Sequence, residues 1–291
     1  MKAYLDYLKN EKKKATNTLL AYERDIRGFA DFLEERGKKL TECAEGDAVA
    51  YVLKLRNQNM SKPTVNRKIS SLKSFYDYKQ NCGEITSNPF AKLKSSKPGA
   101  RDIDYLSVDE VFALLELPDD TARGKRDRAL MEFMYGTGIR VTELVRIKFE
   151  DINLRMRFAR IKDANEESRI VPIGEYAYKA LESYIKDAYP VIKGAEIEPT
   201  DNLFINMSGE SLTRQGVWKI LKDYGKKLGI EERMTPQILR DSFAIHILQN
   251  GGDLRTLQEL MGFDDLSAGI AYLALVEIHV KDVFSKTHPR A

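Results

Sequence analysis

Cysteine is scarce in this chain of 291 residues: Cys43 and Cys82 are the only two, and neither belongs to a CxxC or Cys/His cluster. That excludes a disulfide framework and a thiolate zinc site, and it fits a reducing compartment. Histidine is nearly as scarce, with three residues, His246, His279 and His288. No apolar run approaches the roughly 18 to 20 residues that span a bilayer. The opening MKAYLDYLKNEKKK carries charges where a signal peptide needs an apolar stretch. There is no internal repeat and no low-complexity segment. The expectation is a soluble, cytoplasmic protein with no membrane partner, no bound metal and no cofactor.

The net charge of +3 conceals an asymmetry. Residues 1–100 hold 20 Lys and Arg against 12 Asp and Glu, a surplus of +8, whereas the rest hold 27 against 32, a deficit of −5. Between Asp47 and Asp77 lie Lys54, Arg56, Lys62, Arg67, Lys68 and Lys73 with no acid among them, and between Glu84 and Asp102 lie Lys92, Lys94, Lys97 and Arg101. A polyanion is the natural partner of such a surface, nucleic acid being the candidate and an ordinary solvated charged face the alternative.

Hydrophobic periodicity predicts a mainly α protein. Leu19, Tyr22, Ile26, Phe29, Ala30 and Leu33 mark a helix that stops at Gly37. Val49, Val52 and Leu53 mark a shorter one, and Val65, Ile69, Leu72, Phe75 and Tyr76 a third, entered through Ser61-Lys62-Pro63-Thr64. Residues 1–93 thus form a small helical bundle. The basic, Pro-Gly-containing stretch 94–103 is a linker, and 104–291 a second domain. There Ser107-Val108-Asp109-Glu110 resembles a capping box. One helix ends at Gly136-Thr137-Gly138 and another runs from Arg140 to about Ile147. Phe158–Ile161 and Ser168–Ile173 pair as two short strands. Further helices fall near 175–187, 213–228, 236–249, 253–261 and 267–275, so the second domain is helical with one small antiparallel sheet.

The chemistry-bearing residues concentrate in the second domain. GTGIRVTELVRI, Gly136 to Ile147, puts Arg140 at a helix start with Glu143 three residues on, able to hold the guanidinium. TPQILRDSFAIHILQNG, Thr235 to Gly251, puts Gln237 and Arg240 three apart on a helix, and ELMGF, Glu259 to Phe263, and Tyr272 follow.

Here the chain resembles the tyrosine recombinases, and within them the Xer and phage-integrase-like group. The resemblance covers nearly the whole chain, including TVNRKISSLKSFYDY, Asn88-Pro89, SRIVPI and His288-Pro289-Arg290. It implies a SAM-like core-binding domain followed by a catalytic domain of the DNA breaking-rejoining fold, closing on double-stranded DNA as a C-shaped clamp. The family's two arginines fall on Arg140 and Arg240, its hairpin lysine on Lys162 and its nucleophile on Tyr272. Two guanidinium forks neutralise the phosphorane oxygens without a metal, a lysine protonates the departing 5′ oxygen, and the phenol forms a 3′-phosphotyrosyl link that conserves bond energy. The resemblance places Lys54, Arg56, Arg67, Lys68 and Lys73 against DNA from the first domain, and Arg214, Gln215 and Lys219 from a helix suited to a groove, with salt-sensitive affinity. It also implies four protomers on DNA, coupled by exchange of a C-terminal helix over Glu277–Phe284; packing of that helix within its own protomer is the alternative.

Three positions depart from the family. Gln237 stands where histidine is usual, Asp241 where histidine follows the second arginine, and Phe263 where histidine or tryptophan is usual. Glutamine cannot accept the proton of a tyrosine whose pKa is about 10, and a missing acid-base group costs about 10²- to 10⁴-fold in rate. Phe263 preserves packing while forfeiting a hydrogen bond. Asp241 either draws Arg240 away from phosphate or faces solvent. His246 matches a buried structural position on the same helix. Three readings follow: a strand-exchange enzyme acting through Tyr272, a DNA-binding relative that keeps the fold without the chemistry, and a relaxing topoisomerase of similar mechanism, which the segmental match to integrases disfavours.

Overall fold

The structure, a computed structural model, describes residues 1–14, 16–93, 103–164, 166–194, 201–263, 265–266 and 269–276, with the backbone alone at 16 and 17. The chain divides into two compact units, Met1–Ala100 and Arg101–Ala291. The linker residues 94–102, the Asn165 position of the hairpin turn and the exchange segment Glu277–Phe284 lie outside the described residues.

The first unit packs helices α1 (Lys2–Asn10), α2 (Thr16–Glu34), α3 (Glu45–Asn57) and α4 (Lys62–Asn81). Its core is aromatic: Tyr4, Phe29, Phe75, Tyr76 and Phe90 are fully buried, and Phe29 meets Tyr51 edge-on at a ring separation of 4.8 Å. Ser61 caps α4, its Oγ accepting the Thr64 N–H at 3.4 Å, with Pro63 in the first turn. Two features depart from the sequence expectation. Helix α1 had no strong period to announce it, because its buried face is only Tyr4 and Leu8, a turn apart. In α3 the buried face is Ala48, Tyr51, Val52 and Leu55, while Val49 and Leu53 are 45% and 51% exposed. The Tyr51 ring buries more area against Phe29 and Phe32 than either aliphatic side chain could, and it turns the helix accordingly.

The second unit begins with α5 (Val108–Glu116), whose capping box is made by Ser107 and Glu110 at 2.7 and 3.1 Å. Helix α6 (Ala122–Thr137) ends at Gly138, which adopts φ +58° as a left-handed cap. Helix α7 (Val141–Leu144) is one turn long. It stops short of Ile147 because the N–H groups of Arg146 and Ile147 turn to the carbonyls three residues back, Glu143 and Leu144, at 3.0 and 3.4 Å; beyond them the chain pairs with Asp201 and Leu203, the Phe149 N–H binding Asp201 O at 3.1 Å and the Ile147 carbonyl taking the Leu203 N–H at 2.9 Å. Strands β1 (Ile152–Asn153), β2 (Phe158–Lys162) and β3 (Ser168–Pro172) form an antiparallel sheet in that order, with Arg160 opposite Ile170 and Ile161 opposite Arg169. The helix expected over 175–187 is α8 (Glu175–Ser183), then a π-helical stretch Tyr184–Ala188, then α9 (Tyr189–Lys193). The register slips just ahead of Pro190, which has no N–H to give.

Helices α10 (Arg214–Lys227), α11 (Pro236–Gln249) and α12 (Leu254–Met261) follow, then a helical segment at 269–276. Thr213, Thr235 and Asp253 cap the three. Every residue of α11 from Ile238 to His246 is buried. A helix enclosed all round is a core element, so the charges it carries at Arg240 and Asp241 are set inside the fold.

Gly138→Ala tests the cap that places Arg140. A Cβ there would meet Phe243 Cδ1 at 2.5 Å on a left-handed backbone, so a loss of about 1–3 kcal/mol is expected, read as a lower urea midpoint with unchanged m-value.

Candidate active site

The C-terminal end of α12 presents backbone carbonyls that the helix cannot satisfy, and three arginines converge on them. Arg169 Nε donates to Leu260 O at 2.9 Å, Arg240 Nη2 to Met261 O at 2.7 Å and Arg140 Nη2 to Gly262 O at 2.7 Å. Arg240 Nη1 also donates to the carbonyl of Gly138, the cap of α6. Gly262 closes α12 with φ +61°, and a Cβ there would lie 3.0 Å from Arg169 Nη1.

Glu143 is the counter-charge. Its carboxylate receives Arg140 Nη1 and the Arg140 backbone N–H at 2.9 and 2.8 Å, and both terminal nitrogens of Arg169 at 2.9 and 2.8 Å. Burial pushes this carboxyl up, but the hydrogen bonds and charge of Arg169, and then Arg140, outweigh it and hold it below the ordinary glutamate value. Arg240, 4% exposed, is pulled down to about 10 by burial and then by the charge of Arg140. It stays cationic at neutral pH.

The Tyr272 ring, on the segment 269–276, stacks on Phe263 at 6.1 Å and 18°, and the Arg240 guanidinium lies 5.6 Å from the Phe263 ring centre. Phe263 therefore does pack, as expected. The expectation for Asp241 was wrong on both counts. It is 4% exposed, and it accepts the Tyr272 hydroxyl at 2.5 Å and Gln237 Nε2 at 2.8 Å, both on Oδ1. The turn of about 100° between neighbours on a helix carries it away from Arg240 and towards the returning chain. Arg140, Glu143, Gln237, Arg240, Asp241, Phe263 and Tyr272 are thus brought together.

Arg169 joins them without having been anticipated. The available signal was alternation along β3, which turns Arg169 to the same side as buried Val171 while Ser168, Ile170 and Pro172 are exposed. A charged residue at an inward strand position needs a buried partner.

Lys162, at the end of β2, is held instead by Asp151 at 3.4 Å and Glu150 at 3.7 Å. It lines, with Glu143, a cavity of about 340 Å³. His246 Nδ1 lies 2.8 Å from the Tyr135 hydroxyl, and burial lowers its pKa against the opposing Leu106 backbone contact. Among the described residues no group of His, Cys, Asp or Glu side chains is placed to hold a metal ion, and no helix is long and apolar enough to cross a membrane.

In the first unit, Arg67 and Lys68 both bind buried Asp25, the latter at 3.2 Å, and Ser71 Oγ joins at 3.0 Å. Lys54 pairs with Glu35 at 2.8 Å and Lys73 donates to Ala91 O at 3.1 Å, while Arg56 is exposed. Arg214, Gln215 and Lys219 form one exposed side of α10 together with Trp218.

The model of the phage integrase family matches residues 104–278, and that of the phage integrase N-terminal SAM-like domain matches residues 1–82. Over 292 residues the chain is 39% identical to the tyrosine recombinase XerD of Listeria monocytogenes, covering 99% of this chain and 98% of that protein. It is 36% identical to the XerD of Staphylococcus aureus over 290 residues, covering 99% and 98%. Among solved structures, the XerA recombinase aligns at 25% identity and a TM-score of 0.55 over 99% of this chain and 98% of that one. The XerH recombinase bound to palindromic difH substrate aligns at 18% identity and a TM-score of 0.77 over 92% and 79%, a likeness of fold. Fold and sequence together define a tyrosine-type site-specific recombinase. The chain belongs to the phage integrase family and is Xer-like.

Replacing Glu143 by Gln should cost about 3 kcal/mol, because two guanidinium groups lose a buried counter-charge. The lowered folded pKa means that this stability is present above the ordinary glutamate value and is lost as pH falls below it through the folded one. Wild type should therefore lose stability on acidification below about pH 4.5 more steeply than Glu143→Gln, measured by chemical denaturation across pH.

Proposed function

We propose that this chain cuts and rejoins duplex DNA at specific sites through a covalent link between Tyr272 and the 3′ phosphate of the broken strand. The observation that carries the reading is the meeting of Arg140, Arg169 and Arg240 at the end of α12, beside the Phe263–Tyr272 stack. Three guanidinium groups against the two carboxylates of Glu143 and Asp241 still leave a surplus of positive charge, and a phosphodiester is the anion whose oxygens match several planar forks at once. In this reading Arg140 and Arg240 hold the non-bridging oxygens, and their charge offsets the extra negative charge of the pentacoordinate phosphorane. Tyr272 oxygen attacks phosphorus, the bond to the 5′ oxygen breaks, and Lys162 leaves Asp151 to supply the proton that oxygen takes. Rejoining runs the same steps backwards, and because the phosphotyrosyl bond stores the energy of the phosphodiester, no high-energy cofactor is consumed.

Duplex DNA lies against exposed Arg56 and half-buried Lys54 in the first unit, the latter sharing its charge with Glu35, and against Arg214, Lys219 and the neutral amide of Gln215 on α10. Arg67 and Lys68 contribute less than their number suggests, since Asp25 already neutralises part of their charge. Recombination by four protomers coupled through Glu277–Phe284 completes the reading. A DNA-binding protein that has lost the chemistry is the second reading, and the specific observation favouring it is Gln237, Asp241 and Phe263 at the three positions where the family has imidazole or indole.

A nicked suicide duplex separates the two, with its sequence first selected from a random pool by binding to the Tyr272→Phe protein. Wild type should form an adduct that survives denaturing electrophoresis, Tyr272→Phe should form none while binding as tightly, and Arg240→Ala should slow trapping by about 10²-fold or more. Full binding by wild type with no adduct on any such substrate overturns the enzyme in favour of the inert relative.

A further inference from the structure

We propose that Asp241 is a catalytic residue of this chain, the proton acceptor that activates Tyr272, and that Gln237 is the positioning residue that aims it. The inference rests on the covalent reading above and adds the group which that reading leaves unassigned: something must remove the phenolic proton, and no imidazole stands at the positions where the family has one. Of the histidines, His246 is turned to the Tyr135 hydroxyl at 2.8 Å.

The geometry points to the aspartate. The Tyr272 hydroxyl donates to Asp241 Oδ1 at 2.5 Å, the short end of the range for a hydroxyl on an ionised carboxylate. Gln237, one turn earlier on α11, donates its Nε2–H to the same oxygen at 2.8 Å. A nucleophile on a base that a third group orients is the arrangement by which weak nucleophiles are activated. Asp241 and Tyr272 are both buried, so water does not dilute the contact. Around the pair stand Arg240 on the same helix, Arg140 and Glu143 from α7 and Arg169 from β3. The three cations offset the repulsion between the carboxylate and an incoming phosphate.

The step balances. As the Tyr272 oxygen bonds to phosphorus, its proton passes to Asp241 Oδ1, the bond to the 5′ oxygen breaks, and that oxygen takes a proton from Lys162. On rejoining, the 5′ hydroxyl gives its proton back to Lys162 as its oxygen attacks phosphorus, the phosphorus–Tyr272 bond breaks and Asp241 returns its proton to the departing phenolate.

The test is the trapping rate of the full chain on the selected nicked duplex as a function of pH. Asp241→Asn, nearly isosteric, should trap 10²- to 10⁴-fold more slowly than wild type at pH 7. Its rate should then climb steeply with pH, as hydroxide takes over removal of the phenolic proton. Affinity for the same duplex checks that the variant is folded. Wild type should outrun the variant most at neutral pH and gain far less from added base, and a wild-type rate that climbs with pH as steeply as the variant's overturns the proposal whatever their ratio at pH 7. Asp241→Asn trapping as fast as wild type overturns it while leaving the covalent mechanism standing, and trapping faster identifies Asp241 as a lock on the tyrosine. A wild type that binds without trapping takes down both.

Discussion

Three like charges have to be held within reach of one point, and the end of a helix is what makes this tolerable. The carbonyls of Leu260, Met261 and Gly262 are spared from intrahelical bonding because α12 stops there, and the helix carries its negative end at the same place. Arg169, Arg140 and Arg240 each take one of these carbonyls, and Glu143 adds a full negative charge between two of them. The left-handed turn at Gly262 is part of the same device: its φ of +61° disfavours any side chain, and a Cβ there would crowd the Arg169 guanidinium at 3.0 Å. The arginines come from α7, β3 and α11, three elements distant in sequence, so the cluster can exist only when the second unit is folded as a whole.

The burial of α11 follows from this arrangement. Arg240 must reach the α12 carbonyls on one side and Gly138 on the other, which requires the helix to run between them through the interior. Its remaining faces are then covered by whatever packs there, including Phe243, Ala244 and Ile245. A guanidinium and a carboxylate placed side by side at such depth are stable only if each has its own partners, and they do: Arg240 has backbone oxygens, and Asp241 has an amide and a phenol. Rigidity is the functional return, because none of these groups has to be desolvated again when a ligand arrives.

Much of this could be read from the residues, and the failures have identifiable causes. The Gly138 cap, the pairing of Arg140 with Glu143, the bounds of α10, α11 and α12 and the antiparallel hairpin are local matters, written in capping residues and in alternation over a few positions. Arg169 escaped notice because its importance lies in partners 26 and 91 residues away, although its inward register on β3 was a clue. The face of α3 was misjudged by weighting aliphatic residues over Tyr51. Helix α7 tightens to bonds three residues back at Arg146 and Ile147 as the chain turns to pair with Asp201 and Leu203, contacts no window of sequence contains. The direction of Asp241 depended on where the chain returns after α12, and only tertiary structure supplies that.

The ring at position 263 has one more effect. A hydrogen-bonding side chain beneath the tyrosine would hold it by a bond that weakens steeply with angle, so any travel of the phenol would have to break it. Phe263 offers a flat, slippery surface whose attraction changes little as one ring glides over the other. Between these two rings, therefore, the fold sets a contact that resists sliding less than a directed bond from position 263 would.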